Sequence, residues 1–251
     1  MSDRPDPPRL LPAPAECPPD AILFLDFDGT LVDIADAPDA IVVDTALVDL
    51  LASLATRFTA RLAVVSGRSI AQLDGLIGPV AGRFALSGSH GAEFRFQGDS
   101  EQRARPAALD QVEQAMLAAA AAHPGVLVEA KSQGVALHFR GNPDFAATAE
   151  ALARRLGRDF GLSVQPGKMV FDLHPHGTDK GQAVGRFLAH GGTTAGRPVF
   201  IGDDATDEHG FIAAKAAGGF GILVGAQRET AADYRLPDPA AVRHWLGEAI
   251  R

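Results

Sequence analysis

The sequence predicts an α/β protein: a doubly wound, mainly parallel, Rossmann-like sheet interrupted by an inserted α+β unit. Short unbroken apolar runs bounded by turn residues recur along the chain, as strands buried on both faces require. Helix-length stretches alternate with them, which gives βαβ units and a parallel sheet with helices on both faces. Between about 106 and 175 the order changes to helix-strand-strand, twice over. The 251 residues, 46% hydrophobic and 22% charged, suffice for a main domain of about 150–200 residues plus a smaller insert.

Residues 1–20 hold prolines at 5, 7, 8, 12, 14, 18 and 19, so they read as an extended or mobile tail that cannot be helical. Cys17 lies in it as a lone, incidental thiol. The folded part opens at Ala21-Ile22-Leu23-Phe24-Leu25. Strand-like runs follow at 62–65, 84–86, 199–201 and 220–224, with helices expected over 43–58, 69–77, 179–190 and 207–217. In the insert, helices over 106–122 and 144–160 each precede two strands, at 126–131 with 135–140 and at 163–165 with 169–174. The expected division is a tail (1–20), a core (21–105 with 176–251) and an inserted cap (106–175).

One turn in the insert predicts a face. A two-residue hairpin loop at Gln133-Gly134 places Lys131 near Ala136 and Glu129 opposite His138. Glu129, Lys131, His138 and Arg140 then share one face, while Val128, Ala130, Leu137 and Phe139 share the other. A one-residue slip would mix the sets, so the pattern supports the register. Lys168, Asp172 and His174 alternate in the same way with Met169, Phe171 and Leu173. Mixed acids, bases and histidine on one face suit a polar ligand better than plain solvent.

The charge balance is 23 Lys+Arg against 31 Asp+Glu, a net −8. Surplus acid argues against a nucleic-acid partner, which wants a basic stripe, and against anionic membrane surfaces. No apolar run approaches the roughly 18 residues of a membrane span, and the N-terminus has no apolar core like that of a secretory signal. A single cysteine excludes an intramolecular disulfide and a cysteine-rich zinc site. A cytoplasmic setting is expected, and no pattern specifies an oligomeric state.

In parallel sheets ligands sit beyond the carboxyl ends of the strands. Asp26 and Asp28 follow the first strand there, and Asp203, Asp204 and Asp207 follow the run at 199–201. If those strands are neighbours, several carboxylates converge, each pair repelling by about 4 kcal/mol at 4 Å with an effective dielectric near 20. Hard oxygen ligands without His or Cys point to Mg²⁺. One carboxylate could attack phosphorus and a second, two residues on, could move the proton. Ser66 precedes Gly67-Arg68 where a helix N-terminus would meet an anion, though alone it also reads as an N-cap. Lys180 opens a helix against its dipole, which an anionic partner would explain.

Together, Asp26-x-Asp28-Gly29-Thr30-Leu31, Ser66-Gly67-Arg68, Lys180-Gly181 and Gly202-Asp203-Asp204-x-x-Asp207 resemble, in order, the four motifs of the haloacid dehalogenase-like phosphatases. More narrowly, Gly88-Ser89-His90-Gly91-Ala92-Glu93, Val128-Glu129-Ala130-Lys131, His138-Phe139-Arg140, Gln165-Pro166-Gly167-Lys168 and Asp238–Leu246 are similar to stretches of the trehalose-6-phosphate phosphatases. The resemblance spans about 21–247. It implies Asp26 as nucleophile, Asp28 as general acid/base, and Ser66 and Lys180 as holders of the phosphoryl group. It implies Mg²⁺ bound by Asp26, the main-chain carbonyl of Asp28 and Asp203, with Asp204 and Asp207 supporting. It further implies a sugar phosphate as the small-molecule substrate, contacted from Gly67, Arg68, His90, Glu129, Lys131, Arg140, Lys168 and Asp172. The chain departs from the family's Glu-x-x-Pro by reading Asp172-Leu173-His174-Pro175, one methylene shorter at its first residue. Two other readings stay open on the sequence: another sugar phosphate (sucrose phosphate or mannosyl phosphoglycerate), or a silent sugar-phosphate-binding module.

Overall fold

The computed structural model describes residues 10–34, 40–96, 99–101, 104–190 and 196–251. The chain enters through a two-residue strand, β1 (Leu11–Pro12), and then β2 (Ala21–Leu25), whose five residues are all buried. Helix α1 (Thr45–Arg57) starts where the Asp44 carboxylate accepts the Leu47 N–H, an ordinary N-cap. Strand β3 (Leu62–Val65) leads to α2 (Ile70–Ile77), opened by a capping box between Ser69 and Gln72. Strands β4 (Ala85–Gly88), β5 (Glu93–Phe96) and β6 (Asp99–Glu101) follow.

The chain then leaves this sheet. Helix α3 (Ala107–Ala120) precedes β7 (Leu127–Lys131) and β8 (Gly134–His138), and α4 (Ala146–Phe160) precedes β9 (Leu162–Gly167) and β10 (Val170–Pro175). It returns through α5 (Lys180–Ala189), β11 (Arg197–Gly202), α6 (Asp207–Ala216), β12 (Phe220–Val224), β13 (Tyr234–Leu236) and α7 (Pro239–Glu248).

The first sheet runs β1-β13-β12-β11-β2-β3-β4-β5-β6, and the second β7-β8-β10-β9. Pairing in the first is parallel from β1 through β4 and antiparallel only at β5 and β6. Alternation along β2 divides the core into two layers. Ala21, Leu23 and Leu25 pack with Leu47, Leu51, Leu73 and Trp245, from α1, α2 and α7. Ile22 and Phe24 pack with Val184, Phe187 and Phe211, from α5 and α6. This is the doubly wound arrangement, and each such fully buried large side chain contributes about 1.5–3 kcal/mol. The second sheet has a core of its own, with Val135, Leu137 and Leu173 against Leu109, Met116, Ala149 and Leu156 of α3 and α4. Among the described residues no helix is long and apolar enough to cross a membrane.

Three sequence expectations need correction. The β7–β8 loop is Ser132-Gln133, so Lys131 pairs with Gly134 and Glu129 with Ala136. The register slides by two residues, which keeps every side chain on its expected face. Lys168 sits in the turn between β9 and β10, beside Met169 at φ 64°, and not within a strand. The tail from residue 10 onward is docked: β1 pairs with Tyr234 and Arg235, and the Trp245 indole donates to the Pro14 carbonyl at 2.7 Å. Residues 1–9 lie outside the described residues. Cys17 packs against the core, and burial pushes its thiol up to about 12, which makes it a poor nucleophile. The sequence pattern marks no element at β1, β5, β6, β13 or α7.

Candidate active site

Strands β2 and β11 are parallel neighbours, with Leu25 opposite Ile201, so the chain beyond each carries its aspartates to one place. The Asp26 N–H still donates to the Ile201 carbonyl at 2.9 Å. Gly29 then turns the backbone at φ 81°, and a Cβ there would lie 2.2 Å from an Asp203 carboxylate oxygen. Only glycine supplies both that conformation and that clearance.

Carboxylate oxygens of Asp26, Asp203 and Asp207 lie within 4.8 Å of one another. Lys180, in the first turn of α5, donates to Asp26 Oδ1 at 2.7 Å and to Asp207 Oδ1 at 2.6 Å. These two carboxylates are the anionic partners that its position called for. Asp207 is locked further, because its Oδ2 accepts the Asp204 N–H at 2.9 Å. Asp204 Oδ1 accepts from the Thr206 backbone and hydroxyl, closing the loop after β11. Arg228, which no sequence motif flagged, braces the same loop by donating to the Asp204 carbonyl at 2.6 Å while pairing with Glu208.

One lysine does not neutralise this cluster. Burial, with repulsion from Asp203 and Asp204, raises Asp26 to about 8 against the pull of Lys180. Burial, with repulsion from Asp207 and Asp204, raises Asp203 to about 7. Burial opposes the charge on Lys180, but Asp207 and Asp26 outweigh it and hold its pKa well above the usual value. An all-oxygen donor set this crowded fits a hard divalent cation.

Asp28 stands apart from the cluster: Arg68 grips its carboxylate bidentately, Nε to Oδ2 at 2.7 Å and Nη2 to Oδ1 at 2.8 Å. Ser66 is 1% exposed, and its hydroxyl accepts the Arg68 N–H at 3.1 Å. Gly67 leaves room for the His90 ring, which a Cβ would meet at 2.7 Å.

A cavity of about 810 Å³ separates the two sheets, within the usual range for small-molecule sites. Asp26, Asp28, Gly67, Arg68, His90, Lys180, Asp203 and Asp204 line it from below, and Glu129, Lys131, Arg140, Lys168 and Asp172 from above. Ser66 and Asp207 sit behind its wall. The site residues expected from the sequence thus gather around one chamber, with His138 and Gln165 of the sequence-derived stretches also lining it, and Arg228 joins them.

The trehalose-phosphatase family model matches residues 24–240. The chain belongs to the trehalose-phosphatase family. It is 37% identical over 226 residues to the trehalose-6-phosphate phosphatase of Escherichia coli (strain K12), covering 89% of this chain and 84% of that one. It is 38% identical over 208 residues to a probable trehalose-phosphate phosphatase of Sinorhizobium fredii, covering 81% and 77%. Among solved structures, a trehalose-6-phosphate phosphatase related protein superposes with a TM-score of 0.78 at 27% identity, covering 91% of this chain and 96% of that one.

In this member of the trehalose-phosphatase family the roof of the cavity is already engaged with its floor. Lys131 donates to the Gly67 carbonyl at 3.0 Å and pairs with Asp172. Asp172 is 4% exposed and lies 3.7 Å from His90 Nε2. Burial alone would raise Asp172, but Lys131 and His90 hold it well below the usual carboxylate range. Its carboxylate therefore positions Lys131, and an added methylene would have to displace that pair before reaching further.

Glu129 accepts from Gln72 Nε2 at 2.5 Å and meets His138 Nε2 at 2.7 Å. Burial disfavours its charge, yet His138, Lys131 and Gln72 outweigh burial and lower its pKa from 4.5 to about 2. A depressed carboxyl adds stability above its unfolded pKa and loses it as pH falls toward the folded one. The Tm advantage of wild type over Glu129→Gln should therefore shrink between about pH 4.5 and pH 2. Calorimetry showing a constant difference across that window would mean that Glu129 does not gain its stability from these partners.

Proposed function

We propose that this chain hydrolyses trehalose 6-phosphate to trehalose and phosphate, the last step of trehalose biosynthesis, through an aspartyl-phosphate on Asp26. The observation that carries the reading is a buried Asp26, held by Lys180 beside Asp203, at the floor of a cavity roofed by charged side chains. Family membership supports the choice of sugar.

Mg²⁺ would be held by Asp26, Asp203 and the main-chain carbonyl of Asp28, with Asp204 and Asp207 supporting. When bound, it supplies positive charge against the phosphoryl oxygens. Asp26 attacks phosphorus while the bond from phosphorus to the sugar oxygen breaks. Asp28 gives that oxygen a proton, which requires it to release Arg68 first. Asp28 then takes a proton from water, the water oxygen attacks phosphorus, and the bond to Asp26 breaks. Lys180 and Ser66 orient the phosphoryl group and offset its charge. Glu129, Lys131, Arg140 and Lys168 hold the sugar, with Asp172 fixing Lys131. Sugar contacts far from phosphorus help orient the reacting group. A cytoplasmic setting suits a chain with one half-buried thiol and no second cysteine to pair with it.

Phosphate release should fall to background when divalent metal is chelated and return on adding Mg²⁺, because crowded carboxylates at Asp26 and Asp203 disfavour the ionised nucleophile. Full activity in excess chelator would remove the metal from the scheme.

A further inference from the structure

Gln72 lies in the first turn of α2, four residues beyond Arg68. Its Oε1 accepts the Ser69 N–H at 2.8 Å, and Ser69 Oγ accepts the Gln72 N–H at 3.2 Å, the reciprocal pair of a capping box. That fixes the orientation of the amide. Its Nε2 is left to point across the cavity wall, where it donates to Glu129 Oε1 of β7. A carboxylate can only accept, so the donor end must face Glu129. The adjacent contact runs the other way, from Lys131 of β7 to the Gly67 carbonyl at 3.0 Å. The loop that carries Ser66, Gly67 and Arg68 is therefore tied to β7 at two points.

We infer that Gln72 is the positioning residue of a latch: it holds the second sheet against the Ser66–Arg68 loop through Glu129, and an entering sugar takes Glu129 from it. The second half rests on the proposed substrate and the first half does not. A roof tied to the floor in this way excludes water when a small ester binds. A disaccharide must open the latch and then supply its own bond to Glu129, which couples recognition of the sugar to closure.

The amide is what makes this work. Gln72→Glu keeps the capping box, which accepts either residue, but sets a carboxylate against the Glu129 carboxylate. Gln72→Glu with Glu129→Gln restores the hydrogen bond with donor and acceptor exchanged. Thermal melts should show all three proteins folded at the assay temperature, since the helix cap is retained, with any lowering of Tm confined to the altered contacts of Glu129. Small-angle X-ray scattering without substrate should show a larger radius of gyration for the single variant and the wild-type value for the double variant. With para-nitrophenyl phosphate and Mg²⁺, kcat/KM should drop roughly 10-fold in the single variant, as loss of a charged hydrogen bond predicts, and recover in the double variant. If the single variant matches wild type in both scattering and small-ester turnover, Gln72 only caps α2 and the latch is refuted. Scattering needs no turnover, so failure of the proposed reaction would show separately, as wild type inactive on every phosphate ester.

Discussion

Asp26→Asn is expected to lower phosphate release by roughly 10⁴-fold or more, the scale seen when a covalent nucleophile is removed, with no loss of fold. Asparagine has nearly the same shape, and its Oδ1 can still accept the Lys180 bond now made to Asp26 at 2.7 Å. Removing one charge from a cluster in which burial and repulsion raise Asp26 to about 8 should leave the metal-free Tm equal to or above that of wild type. Turnover and melting thus separate chemistry from stability. A variant that releases phosphate within about tenfold of wild type would show that another group attacks phosphorus.

The second large effect concerns the roof. Glu129→Gln and Lys168→Ala should each lower kcat/KM for trehalose 6-phosphate by roughly 10- to 150-fold, the equivalent of about 1.5–3 kcal/mol for a charged hydrogen bond. Para-nitrophenyl phosphate has no sugar to lose and should be spared. Glu129→Gln keeps an acceptor oxygen for the Gln72 amide, so closure survives while the charge toward the sugar goes. Lys168 stands exposed at the β9–β10 turn and faces the cavity, so its truncation leaves the apolar layer beneath intact. Equal losses on both substrates would show that these residues serve the chemistry or the fold, and the sugar-reading role would fall.

Much of this arrangement is legible in the sequence because its physical causes are local. The run Ala21–Leu25 is buried on both faces, and that alone marks a central parallel strand; β2 occupies those residues. The convergence of Asp26 with Asp203 needed only that β2 and β11 be neighbours, which their pairing shows. The polar roof survived a wrong hairpin loop because side-chain direction repeats every two residues, and the loop error moved the register by two. What was not legible depends on contacts between distant segments. Two-residue β1 has no apolar pattern and is fixed by Tyr234 and Arg235. Arg228 acquires its role only where the loop after β12 meets the Asp204 carbonyl. The pairing of Asp172 with Lys131 joins two strands of the insert that are separated by β8, and the grip of Arg68 on Asp28 spans the floor. Spacing suggested where these residues lie, while their partners are tertiary facts.

The most direct measurement is phosphate release, with Mg²⁺, from trehalose 6-phosphate beside sucrose 6-phosphate, glucose 6-phosphate and mannosyl phosphoglycerate at matched concentrations. The account predicts that trehalose 6-phosphate leads every other substrate by at least about tenfold in kcat/KM, the effect of one well-made charged contact. Equal rates across the panel, a preference for another sugar phosphate, or no release from any of them would contradict it.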